Sequence, residues 1–290
     1  MLACSKIPSF DEIAYPVIAQ PKLDGIRCLV INGVPVSRNL KPIPNKFITK
    51  TLIEMNLPDL DGELMLKSGD FNSVQSAIMS EHGEPDFVYV VFDTPDTKHA
   101  PLPYSERLAK ATSSILMPRA GSGRLQHVGA VQVNQPAQLE KLYNEWLAQG
   151  FEGAIIRDPS GPYKHGRSTL KQGWMLKLKT FNDAEAKIIG FEELMHNDNE
   201  ATTDALGHQV RSSHQDNQYG GNTLGSLVCK YNDQTFKIGT GFDSAQRDSL
   251  WARRESLIGK LVTFKYQELS KYGIPRFPVY KGLRNENDLS

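Results

Sequence analysis

The sequence predicts an α+β protein in two domains, 1–182 and 183–290, and three observations carry that expectation. Its 290 residues exceed what most single cores hold. The first part mixes strand-like and helix-like runs. Beyond about Phe181, short strand runs and one helical segment follow one another, a pattern that suits a small Greek-key barrel.

Taken in chain order, Asn32-Gly33 is a strong hairpin turn joining Ile26–Ile31 to Val34–Val36. Phe87–Phe92 is a continuous β-branched and aromatic run, the pattern of a buried strand. Between Pro136 and Gly150, Leu139, Leu142, Tyr143, Trp146 and Leu147 recur at helical spacing, with Pro at the start and Gly past the end. Phe151–Arg157 returns as a strand. In the second part Ala186–Phe191, Ser226–Tyr231, Thr235–Gly239 and Leu261–Tyr266 read as strands, and Ser244–Ile258 as helical. His196–Asn222 is polar and too long for a tight connection, so it is either disordered or a functional loop.

Composition excludes several classes. Hydrophobic residues at 39% and charged residues at 23% argue against disorder, collagen and coiled coil. Lys+Arg and Asp+Glu are both 33, so any polyanion must be met by a local patch, not by net charge. Cys4, Cys28 and Cys229 form no Cys-x-x-Cys pair, which argues against a zinc ribbon or disulfide framework and for an intracellular, cytoplasmic setting. No apolar run approaches a membrane span, and Met1 to Asp11 lacks the pattern of a signal peptide.

The most informative segment is Gln20-Pro21-Lys22-Leu23-Asp24-Gly25-Ile26-Arg27. A solvated surface loop is the bland reading. The chemical reading is a lysine held at a strand–loop junction, where its amine can attack phosphorus, with Arg27 facing a ligand from the next strand. Other fragments follow in order: Asp61-Gly62-Glu63-Leu64, Phe92-Asp93, Glu152–Arg157, and Trp174–Lys179, whose alternation puts Lys177 and Lys179 on one strand face. Between Asp158 and Asp183 there is no carboxylate, yet Lys164, Arg167, Lys171, Lys177 and Lys179 fall there. From Lys260 to Arg284 six cations meet the single acid Glu268. Two basic segments suit a clamp on a phosphate backbone.

This ordered series resembles the covalent nucleotidyltransferases: ATP-dependent DNA ligases, RNA ligases and mRNA capping enzymes. Arg276-Phe277-Pro278-Val279-Tyr280, followed by Gly282-Leu283-Arg284, is similar to the last motif in its DNA-ligase form. Overall size resembles the minimal viral and bacterial ATP-dependent DNA ligases. The resemblance implies an ATP-grasp-like nucleotidyltransferase (adenylation) domain over 1–182 and an OB-fold domain over 183–290. It also implies a latch-like DNA-binding insertion at 196–222. The function it implies is sealing of 5′-phosphate/3′-hydroxyl nicks in duplex DNA through a lysyl-AMP intermediate.

By the same resemblance Lys22 is the nucleophile. Gln20, Arg27, Arg38, Glu63, Phe92, Lys177, Lys179 and Arg276 hold the nucleotide, ATP serving as AMP donor. Glu152 and Glu63 stand beside Mg²⁺ or Mn²⁺, and hard divalent ions take few protein ligands and several waters. Arg38, Lys164, Arg167, Ser168, Lys171 and Arg211 meet nucleic acid. The implied partner is nicked double-stranded DNA, enclosed by a monomer with no membrane association. The alternatives are an RNA ligase or capping guanylyltransferase with the same lysine chemistry, or a non-catalytic OB-type nucleic-acid binder.

Overall fold

The computed structural model describes residues 1–6, 8–68, 71–95, 102–117, 122–270 and 272–284. The chain divides into two compact units, 1–179 and 180–290. Among the described residues no helix is long and apolar enough to cross a membrane.

The first unit runs β1 (Val17–Pro21), β2 (Ile26–Ile31), β3 (Val34–Ser37), α1 (Lys46–Glu54), β4 (Leu60–Leu66), α2 (Phe71–Met79), β5 (Phe87–Asp93) and α3 (Tyr104–Leu116). It continues through β6 (Leu125–His127), β7 (Val131–Val133), α4 (Pro136–Ala148), β8 (Gly153–Arg157) and β9 (Met175–Lys179). These strands form two sheets, in the orders β3-β2-β4-β5-β6 and β7-β1-β8-β9. Local signals fix the pieces. Asn32 and Gly33 both adopt positive φ, as the β2–β3 turn requires. The α4 helix starts on Pro136 and stops before Gly150, which has φ +88°.

Each sheet has one apolar face. In the first, Cys28, Val30, Leu60, Leu64, Phe87, Tyr89 and Val91 pack against Ile48 and Leu52 of α1, Val74 and Ile78 of α2, and Ala111 and Ile115 of α3. In the second, Val17, Ala19, Ala154, Ile156, Leu176 and Leu178 pack against Leu139 and Trp146 of α4. A strand alternates faces with period two, so the intervening residues of both sheets point the other way. Those residues carry the chemistry.

The second unit comprises β10 (Asn182–Asn197), β11 (Ala201–Thr203), β12 (Gln209–Arg211), β13 (Gln218–Tyr231), β14 (Gln234–Ile238), α5 (Ser244–Ala252), β15 (Leu261–Tyr266) and β16 (Val279–Leu283). Five strands pair antiparallel in the order β14-β13-β10-β15-β16 around Ile188, Leu227, Cys229, Ile238, Val262 and Phe264, all of them buried. A parallel bridge from Thr240 to Val279 links the end of β14 to β16. The polar stretch 196–222 carries strand and turn structure. It prolongs the β10–β13 hairpin and ends in the β11–β12 ribbon. With no apolar core, side-chain amides hold it: Asn199 Nδ2 donates to the carbonyls of Ser212 (2.9 Å) and His214 (2.7 Å), and Asn197 Nδ2 to Ser212 (2.8 Å).

Candidate active site

The site grows from the end of β1. Lys22 N–H donates to the Gly153 carbonyl (2.9 Å), and Glu152 N–H donates to the Lys22 carbonyl (3.2 Å). This reciprocal pair extends the β1–β8 ladder by one step and sets the Lys22 and Glu152 side chains side by side. Gly153 is required there. Its φ is +147°, and a Cβ would lie 2.1 Å from the Leu178 carbonyl oxygen. Gly25 is required for the same reason, since its Cβ would lie 2.3 Å from Met65 Sδ and 2.5 Å from the Leu64 carbonyl. The glycines after Glu152 and after Asp24 thus let the chain pass close to the neighbouring strands on either side of Lys22.

Glu152 bridges two amines: its Oε2 pairs with Lys22 Nζ and its Oε1 with Lys179 Nζ. The register explains the meeting. Lys179 sits opposite Gly153, and Lys177 opposite Ile155. Lys177 lies on the same face, and burial beside Arg167 and Lys22 lowers its pKa.

A cleft of about 280 Å³ opens beside Lys22. Gln20 and Lys22, Ile155 and Arg157, and Met175 and Lys177 line it from the β7-β1-β8-β9 sheet, all from the face opposite the α4 core. Arg27, Glu63 and Phe92 line it from the other sheet, with Arg38 beyond the end of β3. Arg27 is directly opposite Glu63 in the β2–β4 register. Its guanidinium forms a two-pronged pair with Asp61 (both contacts 2.5 Å) and lies 5.1 Å from the Phe92 ring centroid. Burial alone would weaken the charge on Arg27; Asp61 more than restores it. Tyr163 donates to the same Asp61 carboxylate at 2.8 Å. Burial pushes the Glu63 carboxyl up to about 7, against the pull of Arg27 and Lys22.

Of the residues read from the sequence, the cleft gathers Gln20, Lys22, Arg27, Arg38, Glu63, Phe92, Arg167 and Lys177. Lys179 and Glu152 join through the ion pairs. Arg167, assigned above to nucleic acid, lines this cleft and donates to the Ala3 carbonyl (2.7 Å). Ser168 does not face a ligand. It is 1% exposed, and its hydroxyl accepts from Met175 N–H (3.2 Å) and donates to the Thr169 carbonyl (3.3 Å). The hydroxyl closes the turn ahead of β9, so Ser168 is a structural residue. Lys164 donates to Gln172 (3.1 Å), and Lys171 is exposed outside the cleft. In the second unit Arg276 pairs with Glu268, and Arg211 is an exposed residue bonded to the Asn199 carbonyl.

Sequence reasoning missed four contributors. Leu2 and Ala3 form a wall of the cleft, Leu2 bridging to Arg167, and no pattern in the first residues signals this. Asp61 was noted as a carboxylate without its pairing to Arg27. Arg157 was read only as the end of a motif, although period two puts it on the face of Gln20 and Ile155.

The residues fit a nucleotide. An aromatic ring, several arginines and the lysines Lys22 and Lys177 line one cleft. They also fit a divalent ion that keeps most of its waters. Among the described residues no three His, Cys, Asp or Glu side chains gather to hold a metal by themselves.

Comparison with known proteins identifies the family. Residues 1–179 match the family model described as the ATP dependent DNA ligase domain, and residues 218–284 match the DNA ligase OB-like domain. A DNA ligase of Haemophilus influenzae is 26% identical over 223 residues, covering 76% of this chain and 70% of its own. The crystal structure of Chlorella virus DNA ligase-adenylate is 34% identical, covers 98% of both chains, and superposes with a TM-score of 0.55. A structure from a study of Lig E DNA ligases has the same fold, with a TM-score of 0.67 at 22% identity over 98% of this chain and 100% of that one. With its nucleotidyltransferase and OB-fold domains, the chain belongs to the ATP-dependent DNA ligases.

Proposed function

We propose that Lys22 is the nucleophile through which this ligase passes AMP from ATP to the 5′-phosphate of a DNA nick. The observation that carries the reading is the backbone pairing that sets Lys22 beside Glu152 at the mouth of a cation-lined cleft. In the first step the Lys22 amine bonds to the α-phosphorus of ATP and the bond to pyrophosphate breaks. AMP then moves to the 5′-phosphate, freeing the lysine, and the 3′-hydroxyl attacks that phosphate and expels AMP.

The residues divide the work. A charged lysine has no lone pair to attack with, so the Glu152 carboxylate, which favours the ammonium, must release Lys22 first. Lys177 on the same face disfavours a second charge and supports the free amine. Lys177 and Lys179 then stand where negative charge grows on the α-phosphate. Phe92 stacks on the base, and the Arg27 fork, held rigid by Asp61, meets the sugar. Arg38 and Arg167 hold phosphate oxygens. A divalent ion, when bound, offsets phosphate charge and orients the leaving pyrophosphate; Glu152 and Glu63 are the carboxylates to hold it. An ion that takes up Glu152 would also uncouple it from Lys22.

Nicked duplex DNA is the substrate, enclosed by a monomer. The exposed β10–β13 arm, with Arg211 near its tip, supports a role in that grip as a latch. The test is a nicked duplex labelled at its 5′-phosphate, incubated with protein, ATP and Mg²⁺ and resolved on a denaturing gel. Sealed strand that disappears with Lys22→Ala supports the reading. Unchanged input from folded wild-type protein overturns it.

A further inference from the structure

Asp61 is held from two sides, and one of the holds comes from the other sheet. Arg27 on β2 and Asp61 on β4 are diagonal neighbours, since Arg27 stands opposite Glu63 and Leu29 opposite Asp61. The Arg27 fork takes both carboxylate oxygens, and its Nη2 donates further to the Met1 carbonyl (3.0 Å). The second hold is Tyr163, in the connection between β8 and β9, whose hydroxyl lies 2.8 Å from Asp61 Oδ2. A carboxylate only accepts, so the hydroxyl proton is committed to Asp61. Tyr163 therefore reaches from the sheet whose β1 leads into Lys22 to the sheet that carries Arg27.

Tyr163 is itself fixed. Arg107 Nη1 donates to the carbonyl of Gly161 (3.0 Å), two residues upstream, and the Arg107 guanidinium lies 5.6 Å from the Tyr163 ring centroid. Arg107 is buried and paired with Asp93, so a rigid cluster sets where the hydroxyl sits. Arg27 and Glu63 line the cleft, whereas Asp61 and Tyr163 stand behind them. A long arginine side chain has much rotamer freedom to lose. A carboxylate fixed behind it decides where its guanidinium points.

We propose that Tyr163 is a positioning residue: its hydroxyl fixes Asp61 so that Arg27 is aimed at the sugar of ATP, which sharpens recognition of the ribose hydroxyls. This deepens the reading of the cleft as the ATP site and rests on it.

The test compares ATP with 2′-deoxy-ATP and 3′-deoxy-ATP by kcat/KM for covalent adenylylation with Mg²⁺, in wild type, Tyr163→Phe, Arg27→Lys and the double variant. Wild type should use one deoxy analogue roughly ten- to hundredfold less well than ATP, the range for a hydrogen bond from a charged group. Tyr163→Phe should cut that preference about three- to tenfold, the share of one neutral hydrogen bond. In the Arg27→Lys background the same change should leave the preference where it is, because no fork is left to aim. A ratio between nucleotides does not depend on how much of a variant is folded, so a hydroxyl that serves the fold alone would leave it unmoved. An undiminished preference in Tyr163→Phe overturns the proposal and leaves the cleft's assignment standing, as does an equal cut in both backgrounds. Wild type that treats all three nucleotides alike overturns the proposal together with the sugar contact of Arg27. No adenylylation by ATP itself would overturn the cleft's assignment. Should Tyr163→Phe not fold, ¹³Cζ spectra of the wild-type tyrosines decide. The Tyr163 signal should shift on binding ATP and stay in place with the poor analogue; equal shifts overturn the proposal.

Discussion

Asp93 and Glu152, both in the first unit, each bridge two cations, and they serve opposite ends. Asp93 joins Arg107 and Arg157, and the three side chains are 0%, 1% and 2% exposed. Glu152 joins Lys22 and Lys179, and these are 12%, 19% and 12% exposed. The first cluster uses arginine, which stays charged and matches a carboxylate with a planar fork. The second uses lysine, whose charge can be given up. A buried cluster of permanent charges is costly to break and holds geometry. A cluster at a cleft mouth whose cation can become neutral is suited to chemistry.

Substitutions can break that comparison. Lys22→Ala should have the largest effect, abolishing both covalent adenylylation and nick sealing while the thermal melt stays within about 1 kcal/mol of wild type. Asp93→Asn comes next. With its charge gone, Arg107 and Arg157 are left uncompensated, and urea unfolding should show a loss of about 3–5 kcal/mol. Glu152→Gln, the matching change in the other cluster, should cost about 1 kcal/mol or less in the same titration, yet stall sealing. Equal stability losses for the two would erase the distinction.

Glu63 sharpens the contrast, because burial there acts against the fold. Its folded-state pKa of about 7 lies above the ordinary 4.5, so the folded protein holds the proton more tightly. The stability this contributes is complete below the ordinary value and is lost as pH rises through about 7. Metal-free Glu63→Gln should therefore gain on wild type from acid to mildly alkaline pH. The expected gain is about 1–3 kcal/mol by urea unfolding, at about 1.4 kcal/mol per pKa unit. The smallest effect is expected at Ser168. Its alanine variant should lose about 1 kcal/mol and still seal nicks, whereas Arg167→Ala should keep its melt and seal poorly.

How much was legible in the sequence follows from what each feature depends on. The lysine motif and its later partners were readable because close backbone approach demands Gly25 and Gly153 at fixed offsets from Lys22 and Glu152. Strand alternation likewise put Lys177 and Lys179 on one face. Stretch 196–222 was not readable, since side-chain amides rather than an apolar period order it. Ser168 reads as a phosphate contact because a hydroxyl can donate to phosphate oxygens, whereas burial of its hydroxyl depends on the turn ahead of β9. The Asp93–Arg107–Arg157 cluster joins β5, α3 and β8, and nothing local marks an arginine on a helix as buried.

The most direct test of the account is the intact mass of the protein after incubation with ATP and Mg²⁺ and no DNA, followed by peptide mapping. One AMP per chain is expected, on the peptide carrying Lys22, and none on Lys22→Ala. Folded wild-type protein that takes up no AMP, or carries it on Lys177 or Lys179, would contradict it.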